Sequence, residues 1–205
     1  MTIHLHRGDL PDGLDLGTVV AVDSETLGLN PLRDRLCVVQ LSAGDGDAHL
    51  VQFSGDDYDK AKNLKALLAD ENVLKIFHFA RFDVAVFRHW LGVVTTPIYC
   101  TKIASKVART YTDRHGLKDV VREMCGVELS KQQQSSDWAA DPLSDAQQAY
   151  AASDVLHLHE AREKLDSMLK RENRDALVQA CFDFLPVRAA LDLAGWGQVD
   201  IFAHS

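Results

Sequence analysis

The sequence has few cysteines, four among 205 residues, and no two of them form a Cys-x-x-Cys pair. Cys37, Cys100, Cys125 and Cys181 are widely separated along the chain. This spacing supports neither a zinc site built on paired cysteines nor a disulfide framework. We therefore expect reduced thiols and a cytoplasmic protein.

The sequence also lacks a long apolar run and an excess of basic residues. No apolar stretch is long enough to span a bilayer, and the first ten residues do not have the pattern of a signal peptide. The formal net charge of −8 argues against a protein that tracks long nucleic acid through a basic groove. It does not exclude a nucleic-acid enzyme, because bound divalent cations reverse the local field and a very short substrate has few phosphates to neutralise.

The apolar pattern predicts an α/β fold in a single domain with a sizeable core. Apolar runs bounded by Gly, Pro, Asn and Asp predict strands over residues 18–23, 36–42, 49–53 and 73–77. A polar stretch over 127–142 predicts a long loop. Helical spacing predicts helices over 59–69, 81–91 with Gly92 as its stop, 101–109, 117–125, 144–169 with Ser144 as its cap, and 172–193 with a possible interruption near Pro186.

Three short signatures carry acidic side chains. Asp23 and Glu25 stand at the end of a predicted strand, two residues apart, so their side chains share one face. Asp83 lies in the helix that follows the strand over 73–77. Tyr150 and Asp154 are four residues apart in a helical pattern and share a face as well. Clustered carboxylate oxygens are the ligands that a pair of Mg²⁺ or Mn²⁺ ions requires.

Each signature alone has an ordinary explanation. An Asp-x-Glu pair is common in solvated loops, a carboxylate favours the positive end of a helix, and a Tyr-x-x-x-Asp spacing is common on exposed helix faces. The order, the spacing and the strand and helix contexts together favour one shared metal site. A binding module with an inactive site is the alternative from another class, but such a module usually loses a carboxylate, and all four are present.

The set resembles the tyrosine subtype of the DEDD 3′–5′ exonucleases, the group that contains ribonuclease D. The histidine subtype would place His at the position of Ala149. The resemblance implies a ribonuclease H-like mixed five-stranded sheet flanked by helices, with C-terminal helices. It also implies two Mg²⁺ or Mn²⁺ ions per active site, a water oriented by Tyr150, and four metal-binding carboxylates: Asp23, Glu25, Asp83 and Asp154.

Longer strings over residues 34–42, 100–106, 109–118 and 130–138 are similar to the nano-ribonuclease C family, which is related to ribonuclease D. This resemblance implies one exonuclease domain over 1–205, with a catalytic core at about 16–170 and C-terminal helices and a tail over 171–205. It implies cleavage of diribonucleotides and other very short RNAs, including pGpG, to nucleoside 5′-monophosphates, and a closed ring of eight subunits. The alternative is a broader ribonuclease D-like exonuclease that trims longer RNA or single-stranded DNA ends.

The same resemblance suggests two sets of substrate contacts. Leu29 is expected to wedge between the two bases of a dinucleotide; the alternative is a packed loop leucine. Ribonuclease D relatives often carry His-Asn before the third carboxylate, where this chain has His78 and Phe79. We expect His78 to contact substrate or to be structural rather than to bind metal, and Phe79 to offer an apolar surface where the Asn is absent.

A small basic cluster and a polar loop complete the candidates. Arg114, His115 and Lys118 are candidates to hold the 5′ phosphate of the substrate, with a solvated helix start as the equally weighted alternative. The segment 131–136 is expected to line the entrance of the active site, or to be an ordinary polar loop.

Overall fold

The computed structural model describes residues 2–55, 58–130, 132–133 and 135–204. The sheet strands are β1 Ile3–Arg7, β2 Val19–Thr26, β3 Leu36–Ser42, β4 Ala48–Gln52, β5 Leu74–Phe77 and β6 Ile98–Cys100. The α-helices are α1 Lys62–Ala69, α2 Ala80–Val86, α3 Thr101–Ala108, α4 Leu117–Cys125, α5 Asp145–Leu156, α6 Leu158–Arg171 and α7 Asp175–Leu191. π-helical turns at Phe87–Leu91 and Asp192–Trp196 extend α2 and α7.

The strands form one mixed sheet in the order β1-β4-β3-β2-β5-β6. Strands β2, β3 and β4 run antiparallel to their neighbours in this set, whereas β1, β5 and β6 join by parallel pairing. Every residue of β3 and β4 is buried, which places the core on both faces of the sheet centre. The expected mixed α/β sheet flanked by helices is confirmed, and the residues that the structure describes form six strands where five were expected.

The prediction of one continuous helix over 144–169 is wrong, because the structure has two helices there, α5 and α6. Ser144 caps α5 through a capping box with Gln147, as the sequence predicts for its start. The chain leaves helical geometry at His157, where φ is −107° and ψ is 1°. Tertiary packing accounts for the break. Helix α5 packs on β2, β3 and β4, whereas α6 packs on α3 and α4, so the two halves follow different surfaces.

The helix predicted over 172–193 is not interrupted near Pro186, the place where the sequence allowed a break. Helix α7 continues through Pro186, because the buried side chains of Phe182, Leu185 and Ala189 hold the segment on both sides of the proline. The helix ends later, at a π-helical turn in which Gly195 has a φ of 102°. Gly92 ends the earlier helical segment in the left-handed region, as the sequence predicts.

The four cysteines are unpaired, as expected from their spacing. Within the described ranges, no helix combines the length and the apolar character needed to cross a membrane.

Candidate active site

The centre of the sheet brings the three acidic signatures together. Strand β2 continues to Thr26, so Asp23 and Glu25 lie inside the strand and not at its end. The parallel pairing of β2 with β5 places the start of α2, and with it Asp83, beside these residues. Helix α5 packs across β2 and carries Tyr150 and Asp154.

The carboxylates converge as the sequence predicts. Ligand oxygens of Asp23, Glu25 and Asp154 all lie within 4.8 Å of one another. Asp83 is only 2% exposed and lies next to them. The hydroxyl of Ser24 donates a hydrogen bond of 2.6 Å to Asp83 Oδ1, which fixes this carboxylate against β2.

The electrostatics of this cluster are those of crowded buried anions. Burial raises the pKa of Glu25, and the charges of Asp23, Asp154 and Asp83 raise it further. Burial, followed by the charge of Asp23, raises the pKa of both Asp83 and Asp154. Burial also raises the pKa of Asp23. A cation bound among the four carboxylates would offset these shifts, because its positive charge favours the ionised forms.

Tyr150 lies beside the cluster as a neutral phenol. Burial raises its pKa above the ordinary value of 10, and the charges of Asp154, Glu25 and Asp23 add to the shift. Its ring lies 6.0 Å from the ring of the buried Trp138. A neutral hydroxyl at this place can donate or accept a hydrogen bond, but it is not a base at pH 7.

A cleft of about 710 Å³ opens above the carboxylates. Its walls combine polar groups with a few apolar side chains. Among the residues that line it are Asp23, Glu25, Leu29, His78, Lys102, Lys118, Trp138, Tyr150 and Asp154.

Leu29 and His78 both reach this cleft. Leu29 is 89% exposed, so the packed loop leucine considered from sequence is wrong. His78 Nδ1 lies 2.9 Å from the hydroxyl of Thr101, which donates to the carbonyl of Phe77. Burial and the charge of Lys102 lower the pKa of His78 to about 3, so this imidazole is neutral at pH 7.

Phe79 is not part of the cleft lining. It has a left-handed backbone, with φ of 71°, and its ring lies in a neighbouring apolar groove. Lys102 Nζ stands 4.2 Å above the centre of this ring and lines both the groove and the cleft. The structure therefore places Phe79 at the boundary of the site and not in its wall.

The basic cluster is divided by the structure. Lys118 lines the cleft, whereas Arg114 and His115 lie on the loop before α4, outside its lining. The side chain of Arg109 is buried and holds this loop, because its Nη1 donates to the carbonyl of Arg114 and to the Ser105 hydroxyl. The Ser105 hydroxyl in turn lies 2.9 Å from His115 Nδ1.

The segment 131–136 is described only in part, since Lys131 and Gln134 lie outside the described residues. Ser135 and Ser136 line the cleft, together with Ser130, which precedes the segment. Ser135 and Ser136 therefore lie where the sequence predicts, whereas the other described residues of the segment, Gln132 and Gln133, are not part of the lining.

Three residues of the site escaped the sequence interpretation. Ser24 stands between the first two carboxylates. Lys102 is the second residue of α3, which begins directly after β6, a strand of only three residues that the sequence pattern does not reveal. Trp138 follows the polar segment and is buried against the cleft. Position next to a signature is the only signal that would have suggested Ser24.

A family model described as a 3′–5′ exonuclease matches residues 11–170. Ribonuclease D of Gluconacetobacter diazotrophicus is 37% identical over 155 residues, which are 76% of this chain and 39% of that protein. The chain thus spans about two-fifths of the length of the curated relatives it matches. Ribonuclease D of Escherichia coli has a similar fold, with a TM-score of 0.73, 26% identity, and coverage of 84% of this chain and 45% of that one.

A shorter nuclease matches over its whole length. The structure of Brucella melitensis NrnC with bound Mg²⁺ has a TM-score of 0.94 and 55% identity, and the match covers 100% of both chains. The structure of the same protein bound to pGG matches with a TM-score of 0.96 and 56% identity, again over 100% of both chains. The chain therefore belongs to the 3′–5′ exonuclease family, within its ribonuclease D-like, NrnC-type group.

Proposed function

We propose that this 3′–5′ exonuclease degrades diribonucleotides and other very short RNAs, including pGpG, to nucleoside 5′-monophosphates. The observation that carries the proposal is the convergence of four carboxylates beneath a cleft that is also lined by the exposed Leu29. The pGG bound to Brucella NrnC supports a dinucleotide substrate for a relative of equal length. We propose a single catalytic domain over residues 1–205, with its core at about 16–170.

Two divalent cations, Mg²⁺ or Mn²⁺, fit the donor set of this site. Carboxylates are the hard oxygen ligands that these ions prefer. Burial first, and then mutual repulsion, raises the pKa values of Glu25 and Asp83, and a bound dication favours their ionised forms. When bound, such ions supply Lewis-acid activation and neutralise the charge of the phosphodiester. The residues proposed to hold them are Asp23, Glu25, Asp83 and Asp154.

Tyr150 is proposed to orient the attacking water. Its neutral hydroxyl shares the cleft with the carboxylates, and helix α5 fixes it four residues before Asp154. The helix is held in turn by the Ser144 cap and by packing on the sheet. Positioning of this kind contributes by placing the nucleophile in line with the phosphorus, without a proton transfer to the phenol.

The substrate itself is proposed to be held by residues around the cleft. Leu29 has the exposure that a wedge between two bases requires, and Lys118 offers a cation in the cleft wall. Arg114 and His115 are proposed to reach the 5′ phosphate from the neighbouring loop, and His78 and Phe79 to contact the nucleotide next to the carboxylates. Each is a contact that substitution by alanine can test.

We also propose that the protein assembles into a ring of eight subunits. Several large apolar side chains of the C-terminal part are exposed in the single chain, which is consistent with a subunit interface: Leu177, Val187, Trp196, Val199, Ile201 and Phe202. Light scattering of the purified protein measures the mass directly. A monomer would leave the site open to longer strands and would favour the broader exonuclease.

A series of 5′-labelled RNAs of two to seven nucleotides, with a DNA dinucleotide alongside, tests the proposed substrate. We expect cleavage rate and affinity to be highest for two nucleotides and to fall steeply with length. The Asp154→Asn variant should be inactive on all of them. Asp183→Asn changes an exposed aspartate of α7 in the same way and should cleave like the wild type.

A flat length profile would support the alternative, a broader ribonuclease D-like enzyme that trims longer RNA or single-stranded DNA ends. Equal cleavage of the DNA dinucleotide would remove the preference for RNA. Wild-type rates in Asp154→Asn would reject the site itself.

A further inference from the structure

Three of the nine histidines of the chain meet at one edge of the sheet, on the opposite side of β3 from β2. His4 and His6 are two residues apart on the edge strand β1, so their side chains share a face. His49 on β4 is the register partner of His4 in the parallel pair, and it lies on the same face. We call these three residues the histidine cluster.

The rings of the histidine cluster are already in contact. His6 Nε2 and His49 Nδ1 are 3.0 Å apart, and the ring centres of His4 and His49 are 4.7 Å apart. Two imidazole nitrogens bound to one tetrahedral zinc at 2.0–2.1 Å would lie roughly 3.3 Å apart. The His6 and His49 nitrogens therefore stand close to the separation that a shared zinc ion requires.

A fourth donor lies next to the cluster. Asp47 Oδ2 is 3.8 Å from His4 Nε2, and the other oxygen of this carboxylate accepts a hydrogen bond from the Thr2 amide. Both side chains are accessible, His4 at 42% and Asp47 at 37%. Three imidazoles and one carboxylate are a donor set typical of zinc and of other borderline transition metals.

The surroundings favour a cation that binds neutral imidazole. Burial lowers the pKa of His49 and of His6, and the charge of His4 lowers both further. The resulting neutral rings are the form that binds metal. Asp45 and Asp47 add negative charge next to His49.

We propose that His4, His6 and His49, with Asp47, form a second metal site that takes a borderline transition-metal ion such as Zn²⁺. The ion would join the edge strand β1 to β4. This proposal does not depend on the proposed substrate, because the cluster shares no residue with the carboxylate site.

The metal-free arrangement requires a rearrangement before it can bind. Among the described residues, ligand atoms of three or more candidate donors lie within 4.8 Å of one another only at Asp23, Glu25 and Asp154. The imidazoles of the histidine cluster must therefore rotate to converge. His4 and His6 are partly exposed on an edge strand, and such a rearrangement would move their rings between staggered side-chain conformations.

Isothermal titration with Zn²⁺ in excess Mg²⁺ tests the site, because Mg²⁺ occupies carboxylate ligands and competes poorly for imidazole. We expect one Zn²⁺ per chain and a rise in melting temperature. His6→Ala and His49→Gln should each weaken zinc binding at least about tenfold, the lower end of what even a neighbour of a metal ligand contributes. His49→Gln retains most of the volume of the buried side chain, so we expect this variant to fold. Circular dichroism checks that it does. His204→Ala removes an exposed histidine and should bind zinc like the wild type.

The proposal is overturned if His6→Ala binds zinc as tightly as the wild type, or if zinc binding is lost only in Asp154→Asn. The second outcome would place the zinc among the catalytic carboxylates. Loss of exonuclease activity is not a readout here, so failure of the zinc site and failure of the proposed function are separate results.

Discussion

At the scale of single residues, Asp83 is a group proposed to serve catalysis that lowers the stability of the folded protein. Its carboxylate is buried beside three other acidic groups, and the Ser24 hydroxyl donates to it. In Asp83→Asn the amide oxygen can still accept from Ser24, while a buried negative charge is removed. We expect the variant, in EDTA at pH 7, to be more stable than the wild type by about 1–3 kcal/mol, the cost of a poorly solvated group. Its exonuclease rate should fall by at least about 100-fold, as for other lost charge-stabilising groups.

The pH dependence of the free energy of unfolding is a second way to compare Asp83→Asn with the wild type. Burial and the charge of Asp23 raise the pKa of Asp83 in the folded protein. Between the ordinary pKa of 3.8 and the raised pKa, the folded state therefore binds more protons than the unfolded state. The free energy of unfolding falls as the pH rises through this window. Urea unfolding in EDTA should show a smaller loss from pH 4 to pH 8 in Asp83→Asn. Parallel curves for the two proteins would contradict the assigned cause.

Leu29, in contrast to Asp83, contributes little to the stability of the fold. Because its side chain is almost fully exposed, Leu29→Ala should change the free energy of unfolding by less than about 0.5 kcal/mol. Dinucleotide affinity should fall roughly tenfold, since the buried contact of a leucine with bases is worth about 1–2 kcal/mol. Leu32→Ala, at a half-exposed leucine outside the cleft lining and outside the proposed subunit interface, is the matched control. An unchanged dissociation constant in Leu29→Ala would refute the wedge.

At the scale of elements, the connection between α3 and α4 depends on one buried guanidinium. Arg109 is 1% exposed, and it pairs with Glu123 while its Nη1 donates to the carbonyl of Arg114. Arg109→Met should lower the free energy of unfolding by about 1–3 kcal/mol, because the Arg114 carbonyl and the Ser105 hydroxyl lose their buried donor. Arg122→Met breaks the half-exposed pair with Asp119 and should cost less than about 1 kcal/mol.

Hydrogen exchange and urea unfolding measure this difference. In Arg109→Met the amides over 110–116 should exchange faster, because the loop loses the hydrogen bond to Arg114. Binding of a 5′-phosphorylated dinucleotide should weaken with it, if Arg114 and His115 hold that phosphate. Equal stability of the two variants would show that the buried Arg109 guanidinium does not hold the loop.

The elements that the sequence predicts well are those with a strong local pattern. β3 and α4 have the predicted bounds, since each is a continuous apolar run or a clear helical stripe between turn residues. β6 has three residues, and such a short strand is defined by pairing with β5 rather than by its own pattern. β1 does alternate apolar and polar residues, but two of its polar positions are histidines that stack on His49 of the neighbouring strand. The break at His157 has no Gly or Pro and depends on what α5 and α6 pack against.

The same limit applies to the site. Asp23, Glu25, Tyr150 and Asp154 are predictable because each stands in a short signature whose spacing fixes its face. The contact of Lys102 with both the cleft and the neighbouring groove exists only because β6 brings α3 next to α2. Convergence of distant segments is a property of the sheet order, and the sequence pattern does not encode that order directly.

At the scale of the whole molecule, the stability of the protein should depend on divalent cations. The chain carries a net charge of −8, and four of its carboxylates crowd one site whose pKa values are raised mainly by burial. A ligand that binds only the folded state stabilises it by about 2.7 kcal/mol at 100 times its dissociation constant. Mg²⁺ or Mn²⁺ at that level should therefore raise the melting temperature by roughly 5–10 °C over the protein in EDTA.

Charge screening and site binding give different results in this experiment. Screening of a negative surface responds to ionic strength, so KCl of equal ionic strength would reproduce it. Binding at the carboxylates requires all of them, so Asp154→Asn should lose most of the rise while Asp183→Asn keeps it. A rise that KCl reproduces, or that Asp154→Asn retains in full, would mean that the cations act on the overall charge of the molecule, and the carboxylates would then have to be explained without a metal.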